Sequence, residues 1–317
     1  MSVSHKPVMI NEVMDALVPR DGAIYVDATF GAGGYSRALL EAADCTVWGI
    51  DRDPLAVEFG RDMAHEFGGR LSVVKGRFGQ MREILSAVGV TQVDGIALDI
   101  GISSMQIDDF TRGFSFRADG PLDMRMDNGS DDPTAADIVN SMKEHDLANL
   151  IYDYGEERAS RRIAREIVRL RKKGPIERTE QLARVIRHVV RRSNDGIDPA
   201  TRTFQALRIY VNEELIELDQ GLAAAEKLLR AESRLAVVSF HSLEDRRVKT
   251  FLLERSGQRP RPSRHMPDSR RSFYPTFRLV KRGAVKPKET EISLNARARS
   301  ARLRWAERTA QRPIQVA

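Results

Sequence analysis

The chain of 317 residues predicts an α/β fold: a Rossmann-like doubly wound sheet that carries an inserted all-helical domain. Three observations carry this. Short apolar runs alternate with helix-like segments between residues 24 and 100, as βαβ units do. The first two runs bracket a glycine turn and close on acids, Asp27 and Asp51. From Phe110 to about Leu229 the strand signal disappears, and it returns at Leu235–Phe240.

Taken in order, HKPVMINE (5–12) leads into a short helix, Asn11–Leu17, whose Val8, Met9, Val13 and Leu17 are packing residues. Ile24–Val26 is the first strand, and it runs through Asp27, Gly31, Gly33 and Gly34 into a helix, Ser36–Ala43. The second strand, Thr46–Ile50, ends on Asp51, twenty positions after Gly31, the spacing of a unit that holds a nucleotide-like ligand. Glycines admit the ligand close to the backbone, and an acid at the second strand tip can accept both ribose hydroxyls. A dinucleotide fingerprint needs a third glycine where Ser36 stands. The spacing instead resembles motif I of class I S-adenosylmethionine-dependent methyltransferases, with Asp27, Thr29, Gly31 and Gly33 in register. That cofactor has no pyrophosphate, so no helix N-terminus need be reserved for one. On the glycines alone, a tight βα turn without a ligand is the alternative.

Pro54 opens a second helix with Leu55, Val57, Phe59 and Met63. Leu71–Val74 is a third strand ending near Phe78, Met81–Val88 a third helix, and VDGIALDI (93–100) a fourth strand ending on Asp99. Gly33, Asp51, Phe78 and Asp99 thus fall at carboxyl ends of strands, where doubly wound sheets bind ligands. Phe78 offers a ring face to adenine, with core packing as the alternative.

In the insert, Arg158, Arg161, Arg162, Arg165 and Arg169 share a helix face that suits phosphates. Phe204, Leu207, Val211, Leu215, Leu218 and Leu222 form a near-heptad stripe and predict one long helix, with Gln205, Arg208 and Asn212 on its other face. After the fifth strand, Ser242 and Asp245 fit a capping box for a helix Leu243–Leu253. A hydrolase triad of His241, Ser242 and Asp245 is excluded, because adjacent residues at a helix cap cannot form nucleophile, base and orienter. A loop rich in Arg and Pro, Arg255–Arg271, precedes Phe277–Val280 and Ala301–Trp305, which pair as the last two strands. The expected domains are residues 1–109 with 230–317 for the cofactor and 110–229 for RNA recognition.

Charge is uneven. Residues 158–192 hold thirteen Lys or Arg against three acids, and residues 255–304 fifteen against three. The two blocks total +22 in a chain of net charge +6, leaving −16 for the remainder, a distribution that points to a polyanion partner. One cysteine, Cys45, excludes an intrachain disulfide and a cysteine metal cluster. It begins the second strand, away from the glycine loop, which disfavours methylation of a pyrimidine C5 through a thiolate. No apolar run reaches membrane length, and MSVSHKPVMINEV lacks the order of a signal peptide, so a soluble, cytoplasmic protein is expected.

The segments HKPVMINEV, DATFGAGGYS, GIDRDPLA, ALDIGISSMQID, RGFSF, PLDMRMD, YGEERASRRIAR, PATRTFQALRIYVNEEL, SFHSLEDR and NARARSARLR occur in this order over nearly the whole chain. Together they resemble the ribosomal RNA small subunit methyltransferase H family. The resemblance implies a class I methyltransferase fold and S-adenosylmethionine as cofactor. It implies methylation of the exocyclic N4 of a decoding-centre cytidine in 16S rRNA on the small ribosomal subunit, with no membrane or DNA partner. It sets no oligomeric state, and a homodimer is compatible with it. Carried over by position, the cofactor contacts are Gly33, Gly34, Tyr35, Asp51, Phe78, Asp99 and Gln106; Tyr35 stands where many members have histidine. No metal site is expected. Asp99-Ile-Gly-Ile replaces the D/N-P-P-Y/F motif of many amino methyltransferases, so Asp99 keeps the acid without the prolines and aromatic. Asp99 and Asn212 are the expected catalytic pair, with Ser103, Ser104, Asp123 and His241 as further candidates to hold the base. Methylation of a protein or of another nucleic acid by the same fold, and an RNA-binding assembly factor with a vestigial pocket, are the competing functions.

Overall fold

The computed structural model describes residues 7–191, 196–258 and 274–314. The chain divides into two compact units, residues 1–101 with 215–317 and residues 102–214.

The first unit begins with α1 (Ile10–Leu17), β1 (Ile24–Asp27), α2 (Gly34–Ala42), β2 (Thr46–Asp51), α3 (Pro54–Glu66), β3 (Leu71–Lys75), α4 (Met81–Ala87) and β4 (Val93–Asp99). The second unit holds α5 (Ser104–Asp108), α6 (Ala135–Ser141), α7 (Glu144–Gly155), α8 (Ser160–Arg171), α9 (Thr179–Val189) and α10 (Ala200–Asn212). The chain then returns through α11 (Glu214–Leu228), β5 (Leu229–Ser239), α12 (Ser242–Arg255), β6 (Phe277–Leu279), α13 (Glu289–Leu294) and β7 (Arg302–Arg308). The sheet order is β3-β2-β1-β4-β5-β7-β6. Five strands run parallel, and β7 lies antiparallel between β5 and β6, so the two last strands pair as expected. This is the class I methyltransferase sheet, and its order reverses between β1 and β4, where such sheets bind ligands.

Successive strand residues point to opposite faces, and both faces are covered. Tyr25, Ala97, Ala236 and Val238 enter one core with Leu17 and Leu39. Val26, Ile96, Leu98, Leu235 and Val237 enter the other with Leu85, Leu222 and Val248. The unbroken apolar run 96–98 follows from burial on both sides. The helical unit has its own core, in which Leu147, Ile151, Ile163, Ile167, Leu182, Ile186, Phe204 and Leu207 meet.

Three expectations need correction. The helix expected across 204–222 is two helices, because Glu213 adopts φ 54° and ends α10 in a left-handed cap. The apolar stripe continues across that break but serves two cores. Phe204 and Leu207 belong to the helical unit, while Leu218 and Leu222 pack beneath the sheet. The helical unit therefore spans 102–214 where 110–229 was expected. The cap of α12 sits one residue earlier than expected: His241 and Glu244 form the capping box, and Asp245 pairs instead with Arg304. Of the loop Arg255–Arg271, residues 259–271 lie outside the described residues; Arg255 itself ends α12 and binds Glu226. No helix among the described residues is long and apolar enough to cross a membrane.

Candidate active site

The glycine turn is built by backbone geometry. Gly31 and Gly33 have φ of 52° and 71°, in the left-handed region that residues with a Cβ rarely enter. A Cβ on Gly33 would stand 2.6 Å from both Met63 and Phe30, so that position also requires glycine for space. On Gly34 a Cβ would meet the Pro7 ring, which packs the N-terminal segment against the turn.

Three acids end adjacent strands. Asp51 at the tip of β2 accepts from Gly31 N at 2.8 Å through Oδ2 and from Asp53 N at 2.9 Å through Oδ1. These bonds lock the carboxylate while leaving a lone pair on each oxygen for a ribose hydroxyl. Burial pushes its pKa up to about 6. Asp27 at the tip of β1 accepts from Ser36 N and Ser36 Oγ through Oδ2, and its buried Oδ1 has no hydrogen-bond partner among the described residues. Burial outweighs those bonds and raises its pKa to about 7. Ser36, the residue that breaks the dinucleotide fingerprint, is thus the clamp on Asp27.

Asp99 at the tip of β4 is held through its backbone, its N–H donating to Thr29 Oγ1 at 2.6 Å. Its carboxyl Oδ1 is buried and has no partner among the described residues. Burial, then the charges of Asp27 and Glu244, hold it well above the usual carboxylate range. Glu244 is itself fully buried, accepting from Phe240 N at 2.8 Å, with His241 Nε2 2.9 Å from its other oxygen. His241 accepts the Glu244 N–H through Nδ1, so both ring nitrogens face Glu244, and the side chain serves the helix cap.

Two carboxyl oxygens without partners beside a left-handed glycine turn fit a cationic, nucleoside-bearing ligand such as S-adenosylmethionine. A sulfonium and an ammonium can compensate charges that burial otherwise suppresses. Cofactor affinity is therefore expected to rise with pH, by about tenfold per unit for each proton released, and to level off as pH passes about 6 for Asp51 and about 7 for Asp27. Calorimetric titrations in buffers of different ionisation enthalpy measure that release. In the cofactor-free protein the sign reverses. The native state binds more protons than the unfolded chain between about pH 4 and 7, so these groups stabilise the fold at the lower end and lose that contribution as pH rises.

Phe78 lies three residues beyond β3 in a short 3-10 turn, Phe78–Gln80, and its ring is half-buried against α11. The Tyr35 side chain is turned away from the turn. It is only 3% exposed, sits in the core, and its hydroxyl donates to Val8 O at 2.5 Å, so its backbone alone is left to face a ligand. Tyr35→Phe is expected to cost about 1–3 kcal/mol of stability in a thermal melt while cofactor affinity stays within about twofold. Cys45 is buried and its Sγ donates to Leu39 O, consistent with no nucleophilic role.

Two expected site residues belong to the helical unit. Gln106 is buried and closes the capping box of α5, its Oε1 accepting from Ser103 N. Asn212 is buried, accepts from Met126 N at 2.8 Å, and donates to Met124 O at 2.7 Å and Arg208 O at 2.9 Å. Both of its amide hydrogens are spent, so the expectation that it holds the cytidine gives way to one that it anchors the loop 124–126. Met124, buried at φ 66°, shows why that loop needs an anchor. Asp123 is engaged by Arg125, and Arg208 by Glu214. Along α8, Arg165 lies 3.8 Å from Glu144 and Arg169 donates to Glu166, while Arg158, Arg161 and Arg162 have no ion-pair partner among the described residues.

Sequence reasoning missed the weight of Asp27 and Glu244. Asp27 was visible as the acid opening the glycine motif; Glu244 gives no signal beyond standing three residues after the cap.

The MraW methylase family model matches residues 2–309. The ribosomal RNA small subunit methyltransferase H of Rhodospirillum centenum is 62% identical over 305 residues, covering 96% of this chain and 92% of the relative. That of Paramagnetospirillum magneticum is 59% identical, covering 96% of each. Among solved structures, an rRNA methylase from Streptococcus thermophilus is 11% identical at TM-score 0.38, covering 97% of this chain and 99% of that one.

Proposed function

Because this chain belongs to the MraW methylase family, we propose that it methylates the exocyclic N4 of a decoding-centre cytidine in 16S rRNA of the small ribosomal subunit. It is an S-adenosylmethionine-dependent methyltransferase of small-subunit ribosomal RNA. The observation that carries the finer reading is Asp99, a strand-end acid with an unengaged buried oxygen beside the glycine turn. The cofactor, when bound, supplies an electrophilic methyl group.

The chain's own residues have three tasks. Asp51 orients the ribose, and the turn at Gly31–Gly34 admits the ligand to the backbone. The N4 lone pair of cytosine is delocalised into its ring, so an acceptor must hold an amino hydrogen while nitrogen pyramidalises; Asp99 Oδ1 is the group suited to it. Placement in line supplies much of the remaining acceleration. Extruding a paired cytidine costs a few kcal/mol, and the cations of α8 offset this by gripping flanking phosphates.

The test is partition of labelled methyl between the RNA and protein fractions of small subunits, with salt-dependent binding measured in parallel. Label enters RNA if the reading is right; label confined to protein refutes it. Arg161→Ala with Arg162→Ala is expected to reduce the salt slope of RNA binding by about 0.7–0.9 for each phosphate that is no longer neutralised.

A further inference from the structure

Helix α11 carries a glycine in its interior, Gly221, where a helix former would be expected. Its φ is ordinary, so the backbone does not ask for glycine. Space does. A Cβ at this position would stand 2.5 Å from Phe78 Cδ2 and 2.7 Å from Cε2, against the 3.5–4.0 Å or so of a comfortable carbon contact.

Something would have to move by roughly 1 Å. The helix is poorly placed to do so. Leu218 and Leu222 are buried in the core beneath the sheet, and Glu217 one turn earlier receives Arg52 Nη1 at 3.1 Å, with both side chains buried. Arg52 directly follows Asp51, so the same helix is tied to the strand tip that bears the ribose acid. Gly79, next to Phe78, repeats the pattern: a Cβ there would lie 2.9 Å from Gln220 Oε1 and 3.3 Å from Glu217 Cγ. The half-buried Phe78 ring, held by no hydrogen bond, is the part free to yield.

We infer that Gly221 is a positioning residue for the cofactor subsite: its missing side chain lets the Phe78 ring lie back against α11, leaving the outer face available to adenine. The inference rests on Phe78 as the adenine contact, and α11 is then the back wall of the base subsite. Neither Gly221 nor Glu217 touches the ligand. They act through Phe78 and are positioning residues.

The experiment is calorimetric titration of the full-length protein with S-adenosylhomocysteine for Gly221→Ala, Phe78→Ala and the double variant, each with a thermal melt. Alanine is the better helix former but its methyl meets the Phe78 ring, so a merely structural glycine would yield unchanged affinity whichever way the melting temperature moves. The expected result is binding weaker by about threefold to tenfold in Gly221→Ala, the scale of one aromatic stack on the base, and no further loss when the methyl is added to Phe78→Ala. Reduced affinity in Phe78→Ala with wild-type affinity in Gly221→Ala overturns the inference alone. Unchanged affinity in Phe78→Ala overturns the adenine reading of Phe78, and the inference with it. If Gly221→Ala does not fold, Phe78→Leu with and without Gly221→Ala makes the same comparison in a roomier site. Equal affinities support the inference, and a further loss on adding the methyl overturns it.

Discussion

Asp99→Ala is expected to slow methyl transfer at saturating cofactor by about 100-fold or more, the usual contribution of a positioned proton acceptor. The carboxyl is poised for that role by its surroundings. Burial and the charges of Asp27 and Glu244 keep it from ionising freely, and its Oδ1 has no competing donor among the described residues. A cation bound beside it favours the anion, so the acceptor is generated when the cofactor is present. Single-turnover rates and cofactor titration separate the two roles open to Asp99. If it serves the cofactor alone, excess cofactor restores the rate. If it holds the cytidine amino group, the rate stays low at saturation. Asp99→Asn keeps an oxygen but loses the charge, and it should fall between the two.

The second large effect is on stability. Asn212→Ala strips partners from Met126 N and Met124 O, both buried, at roughly 1–3 kcal/mol for each group left unsatisfied. The helical unit is expected to lose about 2–6 kcal/mol in denaturant unfolding, with its loss of activity following the unfolding. A direct role in holding the base would give the opposite pattern: a large fall in rate with unfolding unchanged. Asn212→Asp keeps an acceptor for Met126 N but sets a carboxylate oxygen against Met124 O and Arg208 O in a buried site, so at neutral pH it should be destabilised at least as much as alanine.

The strands and their ends were legible because their signal is local. Parallel strands buried on both faces read as apolar runs, and Asp27, Asp51 and Asp99 mark where the runs stop. The break at Glu213 was not legible, since glutamate in the left-handed region leaves no compositional trace and the apolar stripe runs through it unbroken. The direction of a polar side chain was equally hidden. Asn212 on a helix face looks like a residue awaiting substrate, and only the loop folded over it shows its amide to be spent. Tyr35 follows the glycines that hold the ligand, yet its ring turns into the core because Val8 supplies an acceptor there. The domain boundary moved for the same reason as the helix. Leu218 and Leu222 are apolar residues that either core could have used, and tertiary packing alone decides which.

The most direct test is nucleoside analysis of 16S rRNA after methyl transfer from labelled S-adenosylmethionine to small subunits that lack the modification. The account predicts label in N4-methylcytidine, entering about 100-fold or more slowly in Asp99→Ala at saturating cofactor. Label in 5-methylcytidine or in another nucleoside would contradict it, because neither Asp99 nor the buried Cys45 could then be doing what their positions imply.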